Sequence, residues 1–308
     1  MRTVQIRDTT MREGLDTPEV DFSYEQRMKI ALLLEQAGVP EIEIVAPSKV
    51  NQDIEFVKLL REKINKIRTT GLVYSFHSAC IEQIKLSGSF LDRFDLLMPV
   101  SYQRRPFQKD AKIKLLLDRL SFALTCNKDV GAGFPQSTQA DLDFLKAICH
   151  ESSLKGANRI TLYDTNGGSD PFAVFDLIKS VKECTSCPVF FHGHNDCGFA
   201  TANSLAAVLA GADGLDVTVN GLGDRAGNAA LEQVAVFLYM RGINTGIDLK
   251  KLKKISLCVE KESRIPLSKL SPVVGDFCFM HKSPGHLENP ELFEAYDPVI
   301  IGESRKII

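Results

Sequence analysis

The feature that most constrains the fold is a regular alternation of short apolar stretches with longer amphipathic ones. The short stretches, rich in β-branched and aromatic residues, are eight candidate strands: 3–7, 41–45, 69–74, 94–100, 130–134, 159–162, 189–192 and 214–219. The segments between them place apolar residues three and four positions apart, as amphipathic helices do. Strands that alternate with helices need crossover connections, and such connections produce a parallel sheet.

Eight strand-helix units predict one (β/α)8 barrel, a TIM barrel, whose usual span is roughly 250 residues. The competing arrangement is an open, doubly wound sheet. It is disfavoured because no G-x-G-x-x-G motif follows the first strand. We expect the barrel domain to cover residues 1–248 and a short C-terminal helical lid extension to cover residues 249–308.

Charge and cysteine content narrow the classes of partner. The formal net charge is −2 with no basic block, so the sequence predicts no nucleic-acid partner and no anionic membrane surface. The chain starts with a strand pattern, and no apolar run approaches the ~18 residues that span a bilayer, so we expect a cytoplasmic protein. Its eight cysteines have no framework spacing, and the lone C-x-x-C of residues 184–187 is a weak sign of zinc or redox chemistry.

Two motifs far apart in the sequence each follow a candidate strand. Residues 7–14 read RDTTMREG, and residues 191–196 read FHGHND. Side chains two positions apart on a strand point to the same face, so His192 and His194 can both reach one ion. The carboxylate of Glu13 would complete a set of two histidines and one carboxylate, as in catalytic metal sites with open positions. The alternative is two ordinary polar residues at a strand end, but barrel active sites occupy these strand ends.

Two further loops end at the same face of the predicted barrel. Residues 163–168, YDTNGG, follow the sixth strand, and residues 220–228, NGLGDRAGN, follow the eighth. The first, sixth, seventh and eighth strands are near neighbours in a closed barrel, so these loops can converge. The last loop is either a flexible turn or a site where backbone amides and Asn228 face an anionic ligand. Its glycines permit close backbone approach, which favours the ligand site.

Together these motifs resemble the homocitrate synthase and 2-isopropylmalate synthase family. That family comprises metal-dependent, Claisen-condensing TIM barrels, with HMG-CoA lyase as a distant relative. The resemblance rests on residues 9–14, 192–196 and 221–229 and extends to residues 281–286, HKSPGH, which resemble the family's lid segment. It implies an acyltransferase of amino-acid biosynthesis. In that reaction the enolate of an acyl-CoA, most simply acetyl-CoA, attacks a 2-oxo acid held by a divalent cation (Mg, Mn or Zn), and the thioester then hydrolyses.

The resemblance also implies roles for individual residues. The implied metal ligands are Glu13, His192 and His194, with Asn228 close by. Arg12 would stabilise the carbonyl oxygen as negative charge develops on it.

Further roles would fall to residues outside that group. Thr165 would hold the substrate carboxylate, and His286 would reach in from the lid for acid-base work. Arg104 and Arg105, after the fourth strand, would contact a distal carboxylate or CoA phosphates, or else belong to a solvated basic loop. We also expect a homodimer.

The sequence departs from the family pattern at three places. Pro135 stands where a family strand ends in a catalytic glutamate, and Phe293 stands where the lid has a tyrosine. Residues 15–16, Leu-Asp, replace the family's Glu-Gln. The cation and electrophile machinery is therefore kept while proton transfer is altered, with His286 and Tyr296 as the available substitutes.

Two other functions stay open. A lyase or aldolase could run a retro-Claisen or retro-aldol cleavage on the same metal, because cleavage and condensation share an enolate. The loop after the eighth strand is of the synthase kind, which disfavours this option. A non-catalytic protein that binds the metal and a 2-oxo acid is the third option, suggested by Pro135 and Phe293. Because the sequence stops at Ile308, we expect no regulatory domain of the kind that feedback-controlled family members carry.

Overall fold

The computed structural model describes residues 2–101, 108–127 and 129–308. Within these ranges, the first eight strands form a closed parallel barrel in chain order, which confirms the predicted TIM barrel. The strands are β1 Gln5–Asp8, β2 Glu41–Val45, β3 Arg68–Tyr74, β4 Arg93–Leu97, β5 Val130–Phe134, β6 Ile160–Asp164, β7 Val189–Gly193 and β8 Gly214–Val217. Strands β1 and β8 pair over the full length of β1 and close the sheet.

One helix follows each strand on the outside of the barrel. The helices are α1 Tyr24–Gln36, α2 Val50–Arg61, α3 Cys80–Phe90, α4 Lys109–Cys126, α5 Leu142–Leu154, α6 Pro171–Lys182, α7 Ala200–Leu209 and α8 Leu231–Met240. Local sequence sets several of their starts. Ser23 and Gln26 form a capping box at α1, and Asp170 caps α6 with Pro171 in its first turn.

Strand boundaries agree with the sequence prediction at both ends of β2 and β5 and differ elsewhere by a few residues. The largest difference at a carboxyl end is in β4, predicted to reach residue 100 but ending at Leu97. Met98 and Val100 still donate to Gly133 and Pro135, but Pro99 between them has no N–H to donate to a neighbouring strand.

The interior of the barrel is filled by ion pairs. TIM-barrel interiors are commonly packed with branched apolar side chains. Here the guanidinium of Arg7 donates twice to Asp216, each time at 2.7 Å, and once to Asp95 at 2.8 Å. Closer to the amino ends of the strands, the guanidinium of Arg159 donates to Glu41 at 2.6 Å. The side chains of these five residues are at most 5% exposed, so the charges neutralise one another away from water.

The C-terminal extension packs on the side of the barrel. Its helix α9, Leu252–Ser263, contacts α1, and Ser256 exchanges two hydrogen bonds with Asn220 after β8. A short helix α10, Pro284–Glu288, and a parallel pair of strands follow, β9 Met280–His281 and β10 Lys306–Ile307. The division at residue 248, the homodimer and the cytoplasmic location stay predictions.

Among the described residues, no helix combines the length and the apolarity needed to cross a membrane.

Candidate metal centre and its cavity

The structure brings together the three residues predicted as metal ligands. Glu13 opens a short 3-10 turn after β1, His192 lies in β7, and His194 follows that strand directly. One ligand atom from each lies within 4.8 Å of the others. Glu13 Oε2 is 3.7 Å from His192 Nε2, and Glu13 Oε1 is 3.6 Å from His194 Nε2. All three side chains are buried.

The turn after β1 is anchored to the end of β8, and this places Glu13. Thr10 donates from its backbone N–H and from its hydroxyl to the carboxyl group of Asp8. The same hydroxyl accepts from the backbone N–H of Val219 at 2.8 Å. The backbone N–H of Glu13 then donates to Thr9 O, so the side chain leaves a closed turn and points towards β7.

A carboxylate orients the first histidine. His192 Nδ1 lies 3.0 Å from Asp216 Oδ2, and Asp216 is in turn held by Arg7. Burial alone raises the pKa of Asp216, but the charge of Arg7 and the His192 hydrogen bond outweigh it and hold the pKa well below its usual range. Asp216 is therefore ionised and accepts the Nδ1 proton, which leaves the Nε2 lone pair facing Glu13.

Several polar atoms of the cluster have no hydrogen-bond partner among the described residues. They include His194 Nδ1 and the side-chain Oδ1 of Asn228, both buried. Asn228 Nδ2 lies 3.0 Å from His192 Nε2, and rotating the amide by half a turn would present its oxygen to the cluster instead. Burial above all, followed by the nearby His192, lowers the pKa of His194 to about 2. Two histidine nitrogens beside a carboxylate form a donor set that fits a divalent cation.

Arg12 stands next to this donor set. Its Nε donates to Glu43 Oε1 at 2.6 Å, and its Nη1 forms an ion pair with Glu13. Burial alone lowers the pKa of Arg12, but the charge of Glu43 and other neighbours raises it above the usual value, so the guanidinium stays charged. Its Nη2 is buried and lies 2.5 Å from Glu43 Oε1 as an ion pair, without hydrogen-bond geometry. Nη2 carries two N–H groups, so one of them can donate to a bound molecule while the ion pair with Glu43 is kept.

A cavity of about 410 Å³ opens over the cluster at the carboxyl ends of the strands. Arg12, Glu13, His192 and His194 line it, together with Thr165 after β6. Much of the remaining wall is apolar, formed by Ala46, Leu72, Phe76, Leu97, Pro99 and Pro135. Its volume falls within the range of small-molecule sites.

Thr165 is the predicted substrate-binding residue that the structure describes, and it does lie in this wall. Its Oγ1 accepts from the backbone N–H of Gln136 at 2.8 Å, so its hydroxyl proton is free to donate. The other two predicted substrate-binding residues, Arg104 and Arg105, lie outside the described residues.

The residues predicted for proton transfer do not line the cavity. His286, in α10, stacks on Phe293 with ring centroids 3.9 Å apart, and its Nδ1 lies 3.3 Å from His281 Nδ1. Tyr296 packs edge-on against Phe279, and burial raises its pKa to about 12. The catalytic role of His286 stays a prediction.

Two residues of the site, Glu43 and Asp216, were not foreseen from the sequence, and Tyr163 was predicted only as part of the loop 163–168, with no role of its own. All three occupy inward-facing positions of their strands. Strand alternation carried the signal, since Glu43 and Asp216 are acidic residues that alternate with apolar neighbours.

Comparison with known proteins supports, over most of the chain, the family resemblance that the sequence motifs indicate. Residues 3–259 match the HMGL-like protein family. Homocitrate synthase 1 of Nostoc sp. is 33% identical over an alignment that covers 100% of this chain and 83% of that protein. 2-Isopropylmalate synthase 2 of Caldanaerobacter subterraneus is 32% identical, with 100% and 82% covered. (R)-Citramalate synthase of Methanocaldococcus jannaschii is 33% identical, with 99% and 63% covered.

Solved structures share the fold. HMG-CoA lyase from Bacillus subtilis superposes with a TM-score of 0.75 at 20% identity, covering 89% of this chain and 97% of that one. HMG-CoA lyase from Acinetobacter baumannii, in complex with coenzyme A and 3-methylmalate, gives a TM-score of 0.74 at 18% identity, covering 86% and 92%.

Proposed function

This chain belongs to the HMGL-like family, and on that premise we propose that it catalyses a divalent-metal-dependent Claisen condensation of an acyl-CoA with a 2-oxo acid. Acetyl-CoA is the proposed acyl donor. The supporting observation is the cluster of Glu13, His192 and His194 beside the guanidinium of Arg12, under a cavity large enough for a small acid. Relatives at 32–33% identity include homocitrate and 2-isopropylmalate synthases, which favours the synthase direction.

Glu13, His192 and His194 would hold the cation, with Asn228 beside them. A divalent cation bound there supplies Lewis-acid polarisation of a carbonyl oxygen and a fixed positive charge for a carboxylate.

The other proposed roles fall to side chains that would not hold the cation. Asp216 keeps the His192 ring in one orientation and one tautomer. Glu43 fixes Arg12 so that Nη2 can donate to the carbonyl oxygen of the 2-oxo acid as negative charge grows there. The hydroxyl of Thr165, which accepts from the backbone of Gln136, is free to donate to the substrate carboxylate.

The apolar wall excludes water from the acyl-transfer step. Leu72, Leu97 and Pro99 face the same space as the polar cluster. An enolate is protonated rapidly by water, so a dry wall favours attack on the second substrate over that loss.

Thiol release tests this proposal. Purified protein loaded with Mg²⁺, Mn²⁺ or Zn²⁺ is mixed with acetyl-CoA and, in turn, pyruvate, 2-oxoisovalerate, 2-oxoglutarate and oxaloacetate. We expect one equivalent of free thiol for each 2-oxo acid consumed with at least one pair, and none from a Glu13→Gln variant. Formation of acetyl-CoA from a 3-hydroxyacyl-CoA, without thiol release from any pair, would instead assign a lyase. Absence of both reactions in protein that still binds metal would assign a non-catalytic binding protein.

A further inference from the structure

Tyr163 carries a buried hydroxyl that none of the described residues satisfies. The residue lies in β6, where it shares the inward face with Thr161, and it lines the cavity over the metal ligands. Tyr163 is 5% exposed, and its oxygen has no hydrogen-bond partner among the described residues. Leaving a buried hydroxyl unsatisfied costs on the order of 1–3 kcal/mol. Buried polar groups of native proteins nearly always have a partner, so the cavity that Tyr163 lines is where water or a bound molecule would supply one.

The ring of Tyr163 is held firmly, so its hydroxyl has a defined position. Its centroid is 4.8 Å from that of His192, and it packs with Leu72 and Leu97 in a small apolar cluster. Gly133 on β5 provides the space for this packing. A Cβ at Gly133 would lie 2.5 Å from Leu97 Cδ2 and 3.1 Å from Tyr163 Cε2, which is too close for either side chain to remain in place.

The surroundings of the hydroxyl indicate what kind of group it binds. A tyrosine hydroxyl is protonated at neutral pH, so it can donate a hydrogen bond. Arg12 lines the same cavity as Tyr163. Two donors that face one cavity beside metal ligands suit an oxygen that is negative or becomes negative.

We propose that the Tyr163 hydroxyl donates a hydrogen bond to an oxygen of the bound 2-oxo acid, which makes Tyr163 a catalytic residue that contacts the substrate together with Arg12. The inference rests on the proposed function for the identity of the ligand. The hydroxyl keeps its proton throughout, since a hydrogen bond alone stabilises the oxygen. Tyr163 also enters the site from β6, the strand next to the one that ends at Pro135, where the sequence lacks the family's glutamate.

The Tyr163→Phe variant tests the proposal because it removes the hydroxyl and keeps the ring. Oxalate, a planar analogue of a 2-oxo acid, is titrated calorimetrically into Mn²⁺-loaded protein, and thermal unfolding is measured without oxalate. We expect oxalate affinity to fall about 10-fold, equivalent to about 1.4 kcal/mol. The unfolding temperature should stay the same or rise, because without a ligand the hydroxyl has no partner in the part of the chain that the structure describes. Tyr239→Phe, on the exposed face of α8, serves as the control and should change neither quantity.

Each other outcome overturns the proposal. Unchanged oxalate affinity would show that the hydroxyl does not contact the acid. A fall of several degrees in unfolding temperature, or failure of the variant to fold, would show that the hydroxyl has a structural role instead. Because oxalate binding does not require turnover, the comparison still decides the role of Tyr163 if no acyl-CoA and 2-oxo acid pair reacts. Thiol release with unchanged oxalate affinity in Tyr163→Phe would uphold the proposed function and reject the role of Tyr163 alone.

Discussion

Asp216 accepts a hydrogen bond at 3.0 Å from the Nδ1 atom of His192, its direct partner in the register of β7 and β8. The same carboxylate also accepts two hydrogen bonds from Arg7. The orientation of a proposed metal ligand is thereby linked to the ion-pair network that fills the barrel. Changes to that network should therefore reach His192 through this contact.

Replacing Asp216 by Asn should weaken metal binding about 10- to 100-fold, because the amide no longer fixes the tautomer and orientation of His192. Mn²⁺ titration calorimetry measures the effect. Asp95→Asn is the matched control, since Asp95 accepts from Arg7 at 2.8 Å but has no hydrogen bond to His192. Equal losses of affinity in the two variants would show that Asp216 acts through general stability and not through His192.

Removing either proposed histidine ligand should abolish stoichiometric metal. His192→Ala and His194→Ala each delete one of three donor atoms in the cluster, and the remaining two cannot complete a buried site. Metal content after dialysis, measured by plasma emission, gives the stoichiometry. His150→Ala, at an exposed position of α5, should keep the metal of the parent protein. Full metal content in the His192→Ala, His194→Ala double variant would refute the site.

Arg12→Lys should lower kcat about 10²-fold and leave KM nearly unchanged. Lysine keeps the positive charge but cannot place a second donor where Nη2 lies, and that donor acts mainly on the transition state. The buried Glu43 would retain its ion pair with Arg7 at 3.1 Å, so the variant should fold. Initial rates of thiol release give both constants. A rise in KM with kcat intact would make Arg12 a binding residue only.

Glu232→Gln should stabilise the protein above neutral pH. Burial raises the pKa of Glu232 from 4.5 to about 7, and Asp8 nearby is raised to about 7 as well. Between pH 4.5 and 7 the folded carboxyl keeps a proton that the unfolded chain has lost. Stability therefore falls as pH rises through this window and levels off above it.

At pH 8 the variant should exceed the parent in free energy of unfolding by on the order of 3 kcal/mol, and this difference should vanish near pH 4. Urea unfolding of parent and variant at both pH values measures it. Glu151→Gln, at an exposed position on α5, should show no such pH-dependent difference. A variant that is less stable than the parent at pH 8 would contradict the expectation.

We expect 2-oxo acids with short aliphatic side chains to react at least 10-fold better, by kcat/KM, than 2-oxoglutarate. Among the described residues that line the cavity, Arg12 is the one cation and is already paired, whereas Glu13, Asp16 and Asp224 are acidic. A distal carboxylate would meet no free positive charge there. Should 2-oxoglutarate prove the better substrate, Arg104→Ala with Arg105→Ala ought to reverse the preference.

Much of the architecture could be predicted from the sequence because its causes are local. Strand and helix periodicity depends on neighbouring residues, and the repeated alternation leaves a closed parallel barrel as the simplest arrangement. The same reasoning placed Glu13, His192 and His194 near one another, since the ends of neighbouring barrel strands share one face. Thr165 followed from the same rule and lies in the cavity wall.

Tertiary structure decided which side chains face each other across strands. Register and barrel closure bring Asp216 to His192 and Glu43 to Arg12. They also leave the Tyr163 hydroxyl without a partner among the described residues. No local pattern carries this information, because a strand has the same alternation whatever its neighbour is. The position of His286 likewise depends on how the C-terminal extension packs. Its ring stacks on that of Phe293, a contact that forms only in the folded extension.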